Sequence, residues 1–251
     1  MILIKNSSEI EILKEAGIRA HAILGELKEM AREGTNLLDL DAHARKRAKE
    51  LDSYPTFLGY QPEGATKPYP AAICASLNDV VVHGVPVDYL LKDGDILKID
   101  MGITYKGLIA DTATTVVIGS IAPKIKKLLS STKRALEEAI RVSKIKKHLG
   151  DIGYAIERQA RKDGFKVLKG LTGHGVGYEL HEDPIILNFG KKGIGPELKE
   201  GMVLAIEPMF SLSSEDIVQN NDESYSSADR SATAHFEHTI AITKKGPLII
   251  T

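Results

Sequence analysis

One order of local signals runs through this 251-residue chain twice: helix, helix, strand, hairpin, at roughly 120 residues a pass. In the first pass Ser8-Glu9-Ile10-Glu11 reads as a capping box, and Ile10, Leu13, Gly17, Ala20, Leu24 and Leu27 follow at helical spacing until Gly34. A second helix is expected from about Leu38 to Leu51, with Leu40, Ala44 and Ala48 on its dry side. Residues Thr56 to Pro70, rich in Gly, Pro and aromatics, predict an ordered loop. Ile73–Leu77 and Val80–Val82 read as strands, and Ile96–Met101 and Leu108–Ala113 flank Tyr105-Lys106-Gly107 as a hairpin. In the second pass Pro123 opens a helix to about Lys147, Asp151 caps another to about Lys162, and Met202–Phe210 and Ala232–Thr243 form a longer-looped strand pair. The pattern predicts a single α+β domain over 1–251, with internal halves of approximately 1–120 and 121–251.

Charge and cysteine usage narrow the function classes. Lys and Arg number 33 against 34 Asp and Glu, a net charge of −1, which disfavours a general nucleic-acid or membrane-surface binder. The longest stretch free of Asp, Glu, Lys and Arg, Thr112 to Pro123, is far short of the roughly 18 apolar residues of a membrane span. The N-terminal MILIKNSSEIEILKEAG turns acidic before a secretory apolar region can form. Cys74 is the only cysteine, so no internal disulfide exists, and the expected setting is the reducing cytoplasm.

The hairpin carries the first chemical signal. With the turn centred between Tyr105 and Lys106, residues whose numbers sum to 211 lie opposite each other, which pairs Asp100 with Asp111. Two carboxylates on one face of a ladder repel unless one keeps a proton or a divalent cation neutralises both. A register moved by one residue instead sends them to opposite faces. Other candidate ligands follow: His174 between glycines in Gly173-His174-Gly175, His181 in His181-Glu182-Asp183-Pro184, Glu207 after Val203-Leu204-Ala205-Ile206, and Glu237 before Thr239-Ile240-Ala241-Ile242. An acid among strand-forming hydrophobes is costly unless paired, and four carboxylates with one imidazole suit two divalent metals.

These residues lie in stretches that closely resemble the type I methionine aminopeptidases. The resemblance rests on Ser76-Leu77-Asn78-Asp79-Val80-Val81-Val82-His83-Gly84-Val85-Pro86, Leu91-Lys92-Asp93-Gly94-Asp95-Ile96, Ile99-Asp100, Ala110-Asp111-Thr112, Gly173-His174-Gly175-Val176-Gly177, His181-Glu182-Asp183-Pro184, Ile206-Glu207-Pro208-Met209 and Glu237-His238-Thr239. It covers essentially the whole chain. It implies the pita-bread (creatinase/aminopeptidase) fold, two pseudo-symmetric halves of antiparallel sheet covered by helices. It implies that Asp100, Asp111, His174, Glu207 and Glu237 hold two divalent ions (Co, Mn, Fe or Zn), with Asp111 and Glu237 bridging.

The implied activity is removal of initiator methionine from nascent chains when the second residue is small and uncharged. A metal-bridged hydroxide attacks the scissile carbonyl, Glu207 serves as base and proton shuttle, His181 contacts the carbonyl and His83 assists at the amide. Tyr60, Tyr69, Cys74 and Leu180 fall at the implied methionine pocket. The chain departs from the family pattern in about six extra residues across Gln61–Pro68, in Leu180 before the second histidine, and in lacking tryptophan, with Glu223 or Tyr225 nearest its place. The implied setting is a cytoplasmic monomer with no membrane partner, no specific nucleic-acid binding and a transient ribosome contact, for which Lys124–Lys127, Lys133-Arg134 and Lys144–Lys147 are candidates. Two other readings are a non-catalytic binding protein on the same fold and an X-Pro aminopeptidase-like hydrolase.

Overall fold

Asn6, not Ser8, begins the first helix of the computed structural model, which describes residues 1–62 and 64–251. The Asn6 side chain accepts the Ser8 and Glu9 amides, and Glu9 returns a bond to the Asn6 amide at 2.7 Å. The capping box therefore sits two residues earlier than Ser8–Glu11 suggests, and the Ser8 hydroxyl is spent on Asn6 at 2.6 Å. Helix α1 spans Ser7–Met30, and α2, capped by Asn36, spans Leu37–Glu50. Strands β1 (Tyr54–Pro55), β2 (Cys74–Leu77), β3 (Val80–Val82), β4 (Ile96–Tyr105) and β5 (Leu108–Val117) complete the first half of the chain. Helices α3 (Pro123–Val142) and α4 (Leu149–Asp163) open the second. They lead to β6 (Lys166–Val167), β7 (Thr172–Gly175), β8 (Glu182–Leu187), β9 (Val203–Ile206) and β10 (Met209–Ser211). The last strands are β11 (Ile217–Gln219), β12 (Tyr225–Ser227), β13 (Thr233–His235), β14 (Glu237–Thr243) and β15 (Gly246–Ile249).

Helix α3 stops five residues short of Lys147 because a distant segment claims the backbone. The Lys146 and Leu149 amides donate to Leu198 and Pro196, and the Leu198 amide donates to Lys147 at 2.7 Å. No local stop signal marks that exchange.

The hairpin register also differs from expectation. Lys106 (φ 48°) and Gly107 (φ 79°) both take the left-handed conformation of a two-residue turn, so Tyr105 pairs with Leu108 and facing residues sum to 213. Asp100 faces Ala113, and Asp111 faces Gly102. The displacement is two residues, an even number, so the two aspartates remain on one face as diagonal neighbours. Leu97, Ile99, Met101 and Ile103 point the other way, into a core shared with α1 and α2.

A second core gathers α3 and α4 with Leu204, Phe210 and Ile240, and a third joins Leu13 and Ala110 to Val203 and Ala241. Full burial contributes about 1.5–3 kcal/mol for each large apolar side chain in these layers. Every strand pairing among the described residues is antiparallel, and the main sheet runs β1-β4-β5-β14-β9-β7-β8, with β2 on β4 and β15 on β14. The expected late strand pair is present but divided: Ile206 faces His238 in one sheet, and Met209 faces His235 in another. Pro208, which has no amide to donate, and Glu207 occupy the break.

Candidate metal centre

Five consecutive strands of the main sheet, β4, β5, β14, β9 and β7, each bring one candidate ligand to the same place. Asp100 lies on β4, Asp111 on β5, Glu237 at the head of β14, Glu207 just beyond β9 and His174 on β7. All five are between 2 and 8 % exposed. One ligand atom each from Asp111, His174 and Glu237 lies within 4.8 Å of the others. His174 Nε2 is 3.4 Å from Glu207 Oε1 and 4.0 Å from Asp111 Oδ2.

The surrounding bonds orient these groups. His174 Nδ1 donates to the Gly175 carbonyl at 2.9 Å, which puts the proton on Nδ1 and aims the Nε2 lone pair at the carboxylates. Asp111 Oδ1 accepts the Thr112 amide at 2.9 Å, while Thr239 Oγ1 spans the Asp111 backbone. Thr112 Oγ1 holds the Glu237 carbonyl, and Asn188 Nδ2 holds that of Glu207.

Asp100 Oδ1 and Glu237 Oε1 are buried with no hydrogen-bond partner, and among the described residues no lysine or arginine pairs with any of the four acids. Burial and mutual repulsion push the Asp100, Glu207 and Glu237 carboxyls well up from the usual range, and burial raises Asp111 as well. Burial, then His181, pushes His174 down to about 3, leaving a neutral imidazole. Unpartnered buried oxygens beside a free imidazole lone pair fit divalent cations, which neutralise the cluster and satisfy its acceptors.

Two further buried basic residues escaped the sequence reading. His235 Nε2 is 3.3 Å from Glu207 Oε2, and burial pushes its pKa down to about 3. Lys98 Nζ donates to the Asn78 carbonyl at 2.7 Å, and burial lowers its pKa to about 7. The available cue was a lysine inside an apolar strand, two residues before Asp100 and so on the same face.

Lys98→Met is expected to raise the melting temperature at pH 7 by about 2–4 °C for each kcal/mol of desolvation removed. The Asn78 carbonyl keeps the Thr233 amide and hydroxyl as donors. A folded-state pKa below the unfolded 10.4 makes stability grow as pH rises from about 7 toward 10, so thermal melts should show that rise flattened in the variant.

A cavity of about 970 Å³ opens over the cluster, and Tyr60, Tyr69, Cys74, Leu180, His83 and His181 all line it. His181 Nδ1 is 2.9 Å from the Tyr60 hydroxyl, and its ring meets the His174 ring edge-on at 4.5 Å between centroids. Burial, then His83, pushes His181 down to about 4. His83, at φ 61°, packs edge-on to Tyr225 at 5.9 Å, and burial lowers its pKa too. The Tyr69 hydroxyl reaches the Ile73 and Gly84 carbonyls. Burial and Asp100 push the Cys74 thiol up, so it stays protonated at neutral pH and is a lining group, not a nucleophile. Across the mouth Glu223 Oε1 accepts from the Thr66 amide and hydroxyl, which ties the 61–68 loop to the rim. Glu63 of that loop lies outside the described residues.

An antiparallel sheet that gathers four buried carboxylates and an imidazole at the base of an open cavity defines a metalloenzyme. Residues 11–244 match the metallopeptidase family M24. The methionine aminopeptidase of Aquifex aeolicus is 43 % identical, over 97 % of this chain and 96 % of its own. The crystal structure of methionine aminopeptidase from Thermotoga maritima superposes with a TM-score of 0.95 at 40 % identity, covering 100 % of this chain and 99 % of that one. A prolidase from Pyrococcus furiosus, at 24 % identity and a TM-score of 0.78, covers 99 % of this chain and 65 % of that one, and shares the fold alone. The chain belongs to the methionine aminopeptidases of metallopeptidase family M24, and its fold is the pita-bread α+β architecture.

Proposed function

We propose that this protein removes the initiator methionine from nascent proteins and peptides whose second residue is small and uncharged. The observation that carries the reading is the convergence of five strands on one carboxylate-imidazole cluster at the floor of a cavity walled by Tyr69, Cys74 and Leu180. Asp100, Asp111, His174, Glu207 and Glu237 would hold two divalent ions, Mn, Fe, Co or Zn. Such ions supply Lewis acidity and bring a water's pKa toward neutrality.

The protein's own groups do the rest. The Glu207 carboxyl, pushed up by burial and by Asp100 and Asp111, takes and returns the proton. The Tyr60 hydroxyl, donating to His181 Nδ1, leaves Nε2–H free to donate to the developing oxyanion. His83, its pKa lowered by burial, lines the same cavity and orients the scissile amide. Asp100 and Asp111 come from the first half of the chain and His174, Glu207 and Glu237 from the second, which supports a single catalytic unit over 1–251.

The same proposal has the protein working in the cytoplasm as a monomer, supported by a lone buried thiol with no disulfide. A transient ribosome contact is supported by the exposed lysines of 124–127 and 144–147. Among the described residues no helix is long and apolar enough to cross a membrane.

The test is release of free methionine from Met-Ala-Ser, with Leu-Ala-Ser as comparison, by chelator-treated protein with and without Mn or Co. Metal-dependent release from the methionine peptide alone is expected. No release with any metal from folded protein leaves a binding protein on this fold.

A further inference from the structure

We propose that Lys5 is a positioning residue for His181, acting through a buried ion pair with Glu182 that fixes the 177–182 turn; this rests on the role given to His181 above. The Lys5 side chain is fully buried and that of Glu182 is 3 % exposed, and Lys5 Nζ meets Glu182 Oε2. The other oxygen, Glu182 Oε1, accepts the Tyr178 amide at 2.6 Å and the Glu179 amide at 3.1 Å. One carboxylate thus joins the N-terminal segment to the start of the turn whose apex carries Leu180 and His181 into the cavity.

Further contacts lock the arrangement. Gly177, at φ 147°, passes so close to the lysine stem that a Cβ there would lie 2.4 Å from Lys5 Cε. The Lys5 amide donates to the Gly201 carbonyl at 2.8 Å, just before β9. The Tyr178 hydroxyl donates to Glu9 Oε1 at 2.6 Å, and its ring lies 4.9 Å from Lys5 Nζ. From the turn the Gly177 carbonyl takes the Ile109 amide at 2.7 Å, two residues from Asp111.

A desolvated ion pair adds little net stability compared with apolar side chains of the same size. What this pair supplies is geometry. Joining the N-terminal segment to the turn, it sets where His181 sits relative to Tyr60 and His174. None of the five cluster residues is held by it, so its loss should move His181 and leave metal affinity alone.

The test compares the parent with Lys5→Met, Lys5→Met/Glu182→Gln and His181→Ala, all metal-loaded and folded by thermal melt. The double variant carries no unpaired buried charge and decides the matter where the single variant does not fold. Expected are a fall in kcat on Met-Ala-Ser of about 10²-fold, as for a displacement near 1 Å, KM and Mn affinity within twofold of the parent, and a moved His181 imidazole signal in 15N NMR. Lys5→Arg, which keeps the charge, should recover part of the loss.

Unchanged kcat and an unchanged His181 signal in the double variant overturn the proposal, as does an unchanged kcat with a moved signal when His181→Ala is inactive. If His181→Ala keeps full activity, the role given to His181 is what fails, and the NMR signal alone decides whether Lys5 positions that ring.

Discussion

Asp111→Asn is expected to lower kcat/KM for methionine release by about 10³-fold or more, the several kcal/mol that a metal's charge supplies to such a transition state. The substitution keeps the volume and the acceptor for the Thr112 amide, so the strand should stay in place. What it removes is the negative charge at the position that lies within 4.8 Å of both the His174 and Glu237 ligand atoms. The effect on stability has the opposite sign. In metal-free protein Asp111 repels Asp100, Glu207 and Glu237, so the neutral amide should raise the melting temperature by about 2–4 °C for each kcal/mol of repulsion relieved. Peptide-release kinetics after Mn is added back, and thermal melts of the chelator-treated protein, check the two signs.

Manganese should raise the melting temperature of the parent, and raise it more at pH 8 than at pH 6. Binding to the folded chain alone adds about 2.7 kcal/mol at a hundredfold excess over the dissociation constant, or about 5–10 °C for a domain of this size. The pH dependence follows from the raised carboxyls. Asp111, near 7, holds its proton at pH 6 and has lost it by pH 8, so the ion displaces the Asp111 proton only at the lower pH. His174 is pushed down to about 3 and is unprotonated at both, which leaves the acids to set the direction. His235, pushed down to about 3, is likewise unprotonated at both. Melts at the two pH values, with and without Mn, measure the difference.

The ordering of helices and strands and the identity of the cluster residues were legible because local chemistry writes them. Capping, helical periodicity and the Tyr105–Gly107 turn are short-range signals, and motif spacing carried Asp100, Asp111, His174, Glu207 and Glu237. The hairpin register was off by two residues because Lys106 adopts a left-handed conformation that usually belongs to Gly or Asn. That error did no harm to the chemistry, since an even displacement preserves the face.

Long-range pairings were illegible. The exchange between 146–149 and 194–198 ends α3 early, and the Lys5–Glu182 pair spans 177 residues with nothing in either neighbourhood to announce it. His235 was missed for a related reason. It looks like one more residue of a strand, and only the fold shows its ring 3.3 Å from Glu207.

Whether five neighbouring strands build one divalent-metal site can be read from anomalous X-ray scattering at the manganese edge, from crystals of the protein grown with Mn. The expected result is an anomalous peak within bonding distance of His174 Nε2 and of carboxylate oxygens of Asp111 and Glu237. Folded protein at millimolar Mn with no peak there, or with the ion only elsewhere on the chain, would contradict it.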